Sequence, residues 1–269
     1  MNPSRLPALL ISIVPMLAAG QLLSAGDKAV IESARARYYN LQAAGFQSLS
    51  CSVNFDFSTV PLMPTGNDEL SRKFIKATKF TLTLDANGRP AVQHSYPSGA
   101  TVSEEQQVVQ VTNLLTSLVA GLFQTWPTKG LQGPVPAFDS QIEDVNSTDR
   151  GYTLHLRVPG GPVQLFLDKA YTVTEVVSNE GKLHEHPLYG PSPDGLVFVG
   201  NDATDDSQPG GRVEVKYELG TTVLDGLRVP SSAHLLVNQN IDVRFSLDGC
   251  TVKKALVVHV KPPPPSGTH

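Results

Sequence analysis

The densest group of side chains able to hold a metal ion is His184-Glu185-His186. Two histidines two residues apart on a strand project to one side and could share a zinc ion. No third ligand accompanies them, whereas zinc sites use three or four protein ligands. The triplet is read as a polar loop ahead of Pro187. Asp202, Asp205 and Asp206 offer carboxylates to a hard cation but lack the spacing of a calcium loop, and they read as a solvated loop tip. The sequence has no Gly-x-Ser-x-Gly elbow, and nothing ties His94, His155, His234 or His259 to a serine and an acid. No glycine-rich strand-to-helix turn offers a phosphate cradle, and no carboxylate pair stands out for glycoside hydrolysis. Asn146-Ser147-Thr148 matches a glycosylation sequon, which matters only in a eukaryotic secretory pathway. The expectation is a non-enzymatic protein with no catalytic residue, metal or cofactor.

Cys51 and Cys250 are the only cysteines, and their meaning depends on the compartment. Residues 1–20 read as a secretory signal. Arg5 supplies the positive charge, Leu6 to Leu17 is apolar, and Ala18-Ala19-Gly20 puts small residues at a cleavage site. A second site follows Gly26. No cysteine stands just after the apolar run, so a lipid-anchored product is not expected, and the mature protein should be periplasmic or secreted. That compartment favours a disulfide between Cys51 and Cys250 over two free thiols. Such a bond would close a loop of roughly 200 residues, for which chain entropy gives at most about 5 kcal/mol.

Length and charge bound the rest. The chain has 269 residues, 40% hydrophobic and 17% charged, which is enough to build a sizeable core. Its net charge of −4 lacks the basic footprint that phosphate neutralisation needs, so nucleic acid is excluded as a partner.

Periodicity then supplies the elements. Asp27 can cap a helix running to about Ala44 with Gly45 as its stop, its Val30, Ala34, Tyr38 and Leu41 on one face. From Leu49 to Phe57 every odd residue is apolar, which makes a half-buried strand with Cys51 inward. Residues 61–68 are loop-like. Phe80, Leu82 and Leu84 begin a hairpin turned by Asp85-Ala86-Asn87-Gly88. Ser103, with Gln106 completing a capping box, opens a second helix whose apolar band is unusually wide. A meander follows from Phe138 to Val177, then a polar, Pro/Gly-rich stretch over 181–211 with one short strand at Leu196–Val199. Alternation returns from Val213 to Leu247, shifts parity at Gly249 as a β-bulge requires, and so turns Cys250 inward. Residues 261–269 read as a polyproline tail. The sum is an α+β fold, one domain over 27–260: a large, strongly curved antiparallel β-sheet, an unclosed barrel, covered on its concave face by two helices.

Three pieces carry a family resemblance: ARARYYNLQAAGFQSLSCSVNFDF after the signal, VEVKYELGTTVLDGLRVPSSAHL near the end, and IDVRFSLDGCTV. Their order, and the Asp-Gly-Leu-Arg-Val-Pro run at 225–230 between strands, resembles the periplasmic outer-membrane lipoprotein carriers, the LolA-like superfamily. The resemblance implies an unclosed barrel lidded by helices, an apolar cavity for acyl chains and no catalysis. It assigns no arginine of this chain to lid control. Val111, Leu115, Leu118, Leu122 and Phe245 are the expected cavity lining. The expected function is binding of a lipid or lipoprotein acyl chain by a monomer, with 182–210 a candidate contact for an envelope protein. The alternative is a structural or interaction module with a filled core.

Overall fold

In the computed structural model, residues 23–58 and 68–255 are described. The expected signal segment at 1–20 and tail at 261–269 lie outside the described residues, as does the strand pattern expected beyond Ala255. Helix α1 (Ala25–Ala36) starts two residues before the expected Asp27. Ser24 is its cap: the Ser24 hydroxyl accepts from the Asp27 backbone N–H, and the Asp27 carboxylate accepts from the Ser24 N–H. The helix ends at Ala36, not Ala44, because a strand-like contact captures the chain. Tyr39 N–H donates to the Leu196 carbonyl and Leu196 N–H to the Arg37 carbonyl, both at 2.9 Å. Gly45, with φ 93°, turns the chain into the first strand instead.

That strand, β1 (Phe46–Phe55), buries Phe46, Leu49, Cys51, Val53 and Phe55 and exposes Ser52 and Asn54, as its alternation dictates. Helix α2 (Asp68–Ala77) follows and was not expected, so the chain has three α-helices, not two, among its described residues. Then come β2 (Lys79–Leu84), β3 (Pro90–Ser95) and α3 (Val102–Gln124), which starts one residue before Ser103. A five-residue π turn over Pro127–Leu131 continues from it. The meander is β4 (Ile142–Thr148), β5 (Gly151–Val158), β6 (Gly161–Asp168) and β7 (Val173–Ser178). The expected loop over 181–211 is corrected to two long strands, β8 (Leu183–Gly190) and β9 (Val197–Asp205). The last three strands are β10 (Val213–Leu224), β11 (Leu227–Val237) and β12 (Ile241–Lys254).

The twelve strands among the described residues form one antiparallel sheet in the order β3-β2-β1-β12-β11-β10-β9-β8-β7-β6-β5-β4. The order is unclosed, with β3 and β4 as its edges, and the segment that carries α3 joins one edge to the other. The first strand pairs with the last. Along that ladder Ser50 faces Thr251 and Ser52 faces Asp248, so Cys51 is opposed by both Gly249 and Cys250. Gly249 adopts φ 57°, the left-handed region in which a side chain is strained, and this is the bulge that the parity shift requires. Cys51 and Cys250 form a disulfide across it, their Cα atoms 4.2 Å apart. A largely buried disulfide of this kind suits an oxidising compartment outside the cytoplasm.

One sheet carries two apolar clusters. In the larger, α3 residues Val108, Leu115, Val119 and Phe123 pack with β1, β2 and β10–β12. In the smaller, Ile31 and Ala34 of α1 pack with Leu154, Leu156, Leu165 and Leu167 of β5 and β6. Tyr189 touches both clusters.

Candidate functional site: a polar seam between two apolar cores

Where the clusters meet, the inward face of the sheet turns polar. On β8 the inward positions are Glu185, Pro187 and Tyr189; on β9 the residue opposite Pro187 is Asn201, and on β10 the residue opposite Asn201 is Tyr217. Asn201 is 2% exposed. Its side-chain N–H donates to Glu185 Oε1 at 3.2 Å. The same oxygen accepts from the ammonium of Lys129, itself 7% exposed.

Lys129 reaches the seam because the π turn folds beneath Trp126. A Cβ on Gly130 would sit 2.3 Å from the Trp126 indole nitrogen, so only glycine lets the turn pass that close. Trp126 is anchored by Phe46 and Phe123, with ring centres 5.9 and 6.5 Å away. The Leu131 carbonyl accepts from Gln42 N–H at 3.1 Å, tying the turn to the chain that follows α1. The residue just after α3 also contributes: Thr125 Oγ1 lies 3.2 Å from the Tyr217 hydroxyl.

An aromatic row crosses the seam from one cluster to the other. Ring centres are 4.9 Å apart for Tyr38 and Tyr189, 5.9 Å for Tyr189 and Phe198, and 6.0 Å for Phe198 and Tyr217. Burial, which disfavours phenolate, raises Tyr38 and Tyr217 to about 12 and pushes Tyr189 well above its ordinary value. These hydroxyls therefore stay protonated at any physiological pH. The Tyr38 oxygen accepts from Val173 N–H at 2.6 Å. The Tyr189 hydroxyl and Asn201 Oδ1 are buried without a hydrogen-bond partner among the described residues.

The arrangement is an ion pair of no net charge, three neutral phenols and one amide, enclosed by apolar side chains. It can orient a small polar group. It pairs no nucleophile with a base, and no group of three or more His, Cys, Asp or Glu among the described residues is placed to hold a metal.

The sequence-singled residues fall as follows. Val111, Leu115, Leu122 and Phe245 are buried together in the larger cluster, with Leu118 partly buried against it. His184 and His186 sit on β8 and not in a loop, on the face opposite Glu185; His184 Nδ1 meets Glu175 at 2.9 Å and its Nε2 meets the Gly181 carbonyl at 3.0 Å. Asp202 and Asp205 lie on β9, not on a loop tip; Asp202 pairs with Lys216 at 3.3 Å, and Asp205 accepts from Ser207 and Gln208. On the outer face a depression of about 830 Å³ spans β1 and β10–β12, with Gly220, Ser232, Ser246, Asp56, His234 and Arg244 among its lining residues.

Glu175 raises the His184 pKa above 6.5 by its hydrogen bond, against a smaller opposing effect of burial. A raised histidine stabilises the fold fully below pH 6.5 and loses that contribution as pH climbs through the folded-state value. With His184 41% exposed, the effect is small. A proton NMR titration should place the His184 imidazole above 6.5 in wild type and lower in Glu175→Gln; a midpoint at or below 6.5 in wild type contradicts the pairing.

Sequence reasoning passed over Lys129, Asn201 and Tyr189, and took Glu185 only as part of a polar loop with His184 and His186. One signal was there: from Gln106 to Phe138, Lys129 is the only charged residue. A lone lysine in so apolar a stretch needs a partner.

Comparison with known proteins returns no matching family model, no matching curated protein and no matching solved structure. The class is therefore defined by geometry alone: one open antiparallel sheet whose first and last strands are paired and disulfide-linked, with a polar seam inside.

Proposed function

We propose that the chain is a non-enzymatic binding protein for a lipid or acyl chain, taken up between the inner face of the sheet and its helices. In this reading α1 and α3 cover the concave face, each over its own cluster, and the protein works in the periplasm or outside the cell. The observation that carries it is α3. From Gln106 to Thr128 it and its continuation hold no charged residue. By length and composition Val108–Leu131 could cross a membrane, yet only 39% of its most apolar stretch is buried, and Val109 and Leu114 remain exposed. A helix so poor in charge on a one-sided apolar sheet suits contact with hydrocarbon. The order of helix, strand, apolar helix and closing hairpins also fits the likeness to lipoprotein carriers.

Delipidated protein should enhance the fluorescence of a hydrophobic probe saturably, and oleate should displace it. Absence of saturable enhancement refutes the reading. A second reading, an interaction module with a solid interior, is favoured by the complete burial of Leu115, Val119 and Phe123. It would be upheld by that negative result together with capture of an envelope protein. Because residues 182–210 include two central strands, deleting them would unfold the sheet; substitutions at the exposed Leu188 are the cleaner probe of a partner surface.

A further inference from the structure

We propose that the seam receives the hydroxyl-bearing head of the ligand, so that the preferred ligand is an amphiphile with an uncharged alcohol head, such as a monoacylglycerol. This rests on the acyl-chain reading above and narrows it to one chemistry. Asn201 Oδ1 can only accept a hydrogen bond, and the Tyr189 hydroxyl can donate or accept one; neither has a partner among the described residues, and Asn201 is 2% exposed. Leaving such atoms unpaired is costly, which is why nearly all buried polar groups are bonded. The two residues lie on neighbouring strands, with Asn201 opposite Pro187 and Tyr189 two positions further along β8 on the same face. The proposed head group is one alcohol that serves both, donating to Asn201 Oδ1 while accepting from Tyr189.

Charge decides against an ionised head. Lys129 is already engaged by Glu185, and Glu185 is held by Asn201 as well. The pair sums to zero, so a carboxylate or phosphate would find no free counter-charge while losing its hydration. A hydroxyl loses little hydration and gains two bonds. The neighbouring rings of Tyr38 and Phe198, 4.9 and 5.9 Å from Tyr189, give the first carbons of the chain apolar surface to contact.

The test is displacement of a hydrophobic fluorescent probe from the delipidated full chain by 1-monooleoylglycerol, methyl oleate and oleate. These share one acyl chain and differ in the head. Monooleoylglycerol should bind about ten- to a hundredfold more tightly than methyl oleate, the range expected when a buried polar site is satisfied in one complex and not in the other. In Asn201→Leu the ratio of the two esters' affinities should fall to about one. Tyr189→Phe, which removes one hydroxyl and little else, should reduce the preference and provides the test should Asn201→Leu not fold. Equal binding of the two esters by wild type overturns the head-group site but leaves acyl-chain binding standing. So does a preference that persists in the variants, which would mean that buried water takes these bonds. Tighter binding of oleate than of monooleoylglycerol also overturns it. If no lipid displaces the probe, both the site and the acyl-chain reading fall.

Discussion

Replacing Cys51 and Cys250 together by alanine should lower the stability of the fold by several kcal/mol, up to about 5. The bond spans 199 residues, so in the unfolded chain it removes the freedom of nearly the whole described protein. In the folded chain the two cysteines are held beside each other in any case. The β1–β12 ladder is paired from Phe46 and Lys254 to Phe55 and Phe245, and the bulge at Gly249 aims Cys250 at Cys51 with or without the bond. The fold should therefore persist in the double variant and unfold at a lower denaturant concentration. Its slope against denaturant should rise, because the unlinked unfolded chain exposes more surface. Paired urea titrations of the oxidised protein and the variant would show both. A difference below about 1 kcal/mol would mean that the cross-link is strained or that the linked unfolded state is as free as the open one.

The second large effect belongs to Lys129. Lys129→Met should cost about 3–5 kcal/mol, because it strands the Glu185 carboxylate in an interior from which water is largely excluded. The aliphatic part of methionine fills the space, so the loss is electrostatic and not a cavity. Changing Glu185→Gln as well should restore all of it. The introduced amide carries no charge yet still offers its oxygen to the Asn201 side chain, which donates to Glu185 at 3.2 Å in the native protein. The double variant should match or exceed wild type, the usual outcome when a buried ion pair is replaced as a unit. A double-mutant cycle by thermal or chemical denaturation measures the coupling. If Lys129→Met is nearly neutral, water reaches the pair and the seam is not an interior feature.

Most of the sheet was legible from alternation, and the exceptions have one physical cause. Strands β1, β10, β11 and β12 put apolar residues inward and polar ones outward, so two-residue periodicity finds them. Even the bulge was legible, since the inward face changes parity at Gly249. Strands β8 and β9 break the rule because their inward face is the seam. Glu185, Pro187 and Asn201 occupy positions where a strand ordinarily shows aliphatic side chains, while Leu188 points to solvent. With Pro191 and Pro193 following, that pattern reads as a loop. What hid the strands is thus the same set of residues that makes the candidate site. The early end of α1 was hidden for another reason. Tyr38 keeps helical spacing with Ala34 and Leu41, but its backbone pairs with Leu196, far away in sequence. No local pattern carries that information. Helix α2 is short, and an apolar face built on Phe74 and Ile75 gave too weak a signal to separate it from the loop-like, Pro-containing stretch before it.

Pairing of the first strand with the last has a consequence for how the chain comes into being. β1 finds its β2 neighbour almost at once, but its other edge must wait for β12. At about 5–20 residues per second, the 199 residues between Cys51 and Cys250 take on the order of 10–40 s to synthesise. Throughout that interval β1 presents a bare row of amide and carbonyl groups to whatever else is nearby, another nascent copy included. The yield of correctly closed protein should therefore be set less by stability than by crowding during birth. The appearance of the disulfide is a clock for it, since no molecule can be oxidised at this site before its last strand has arrived.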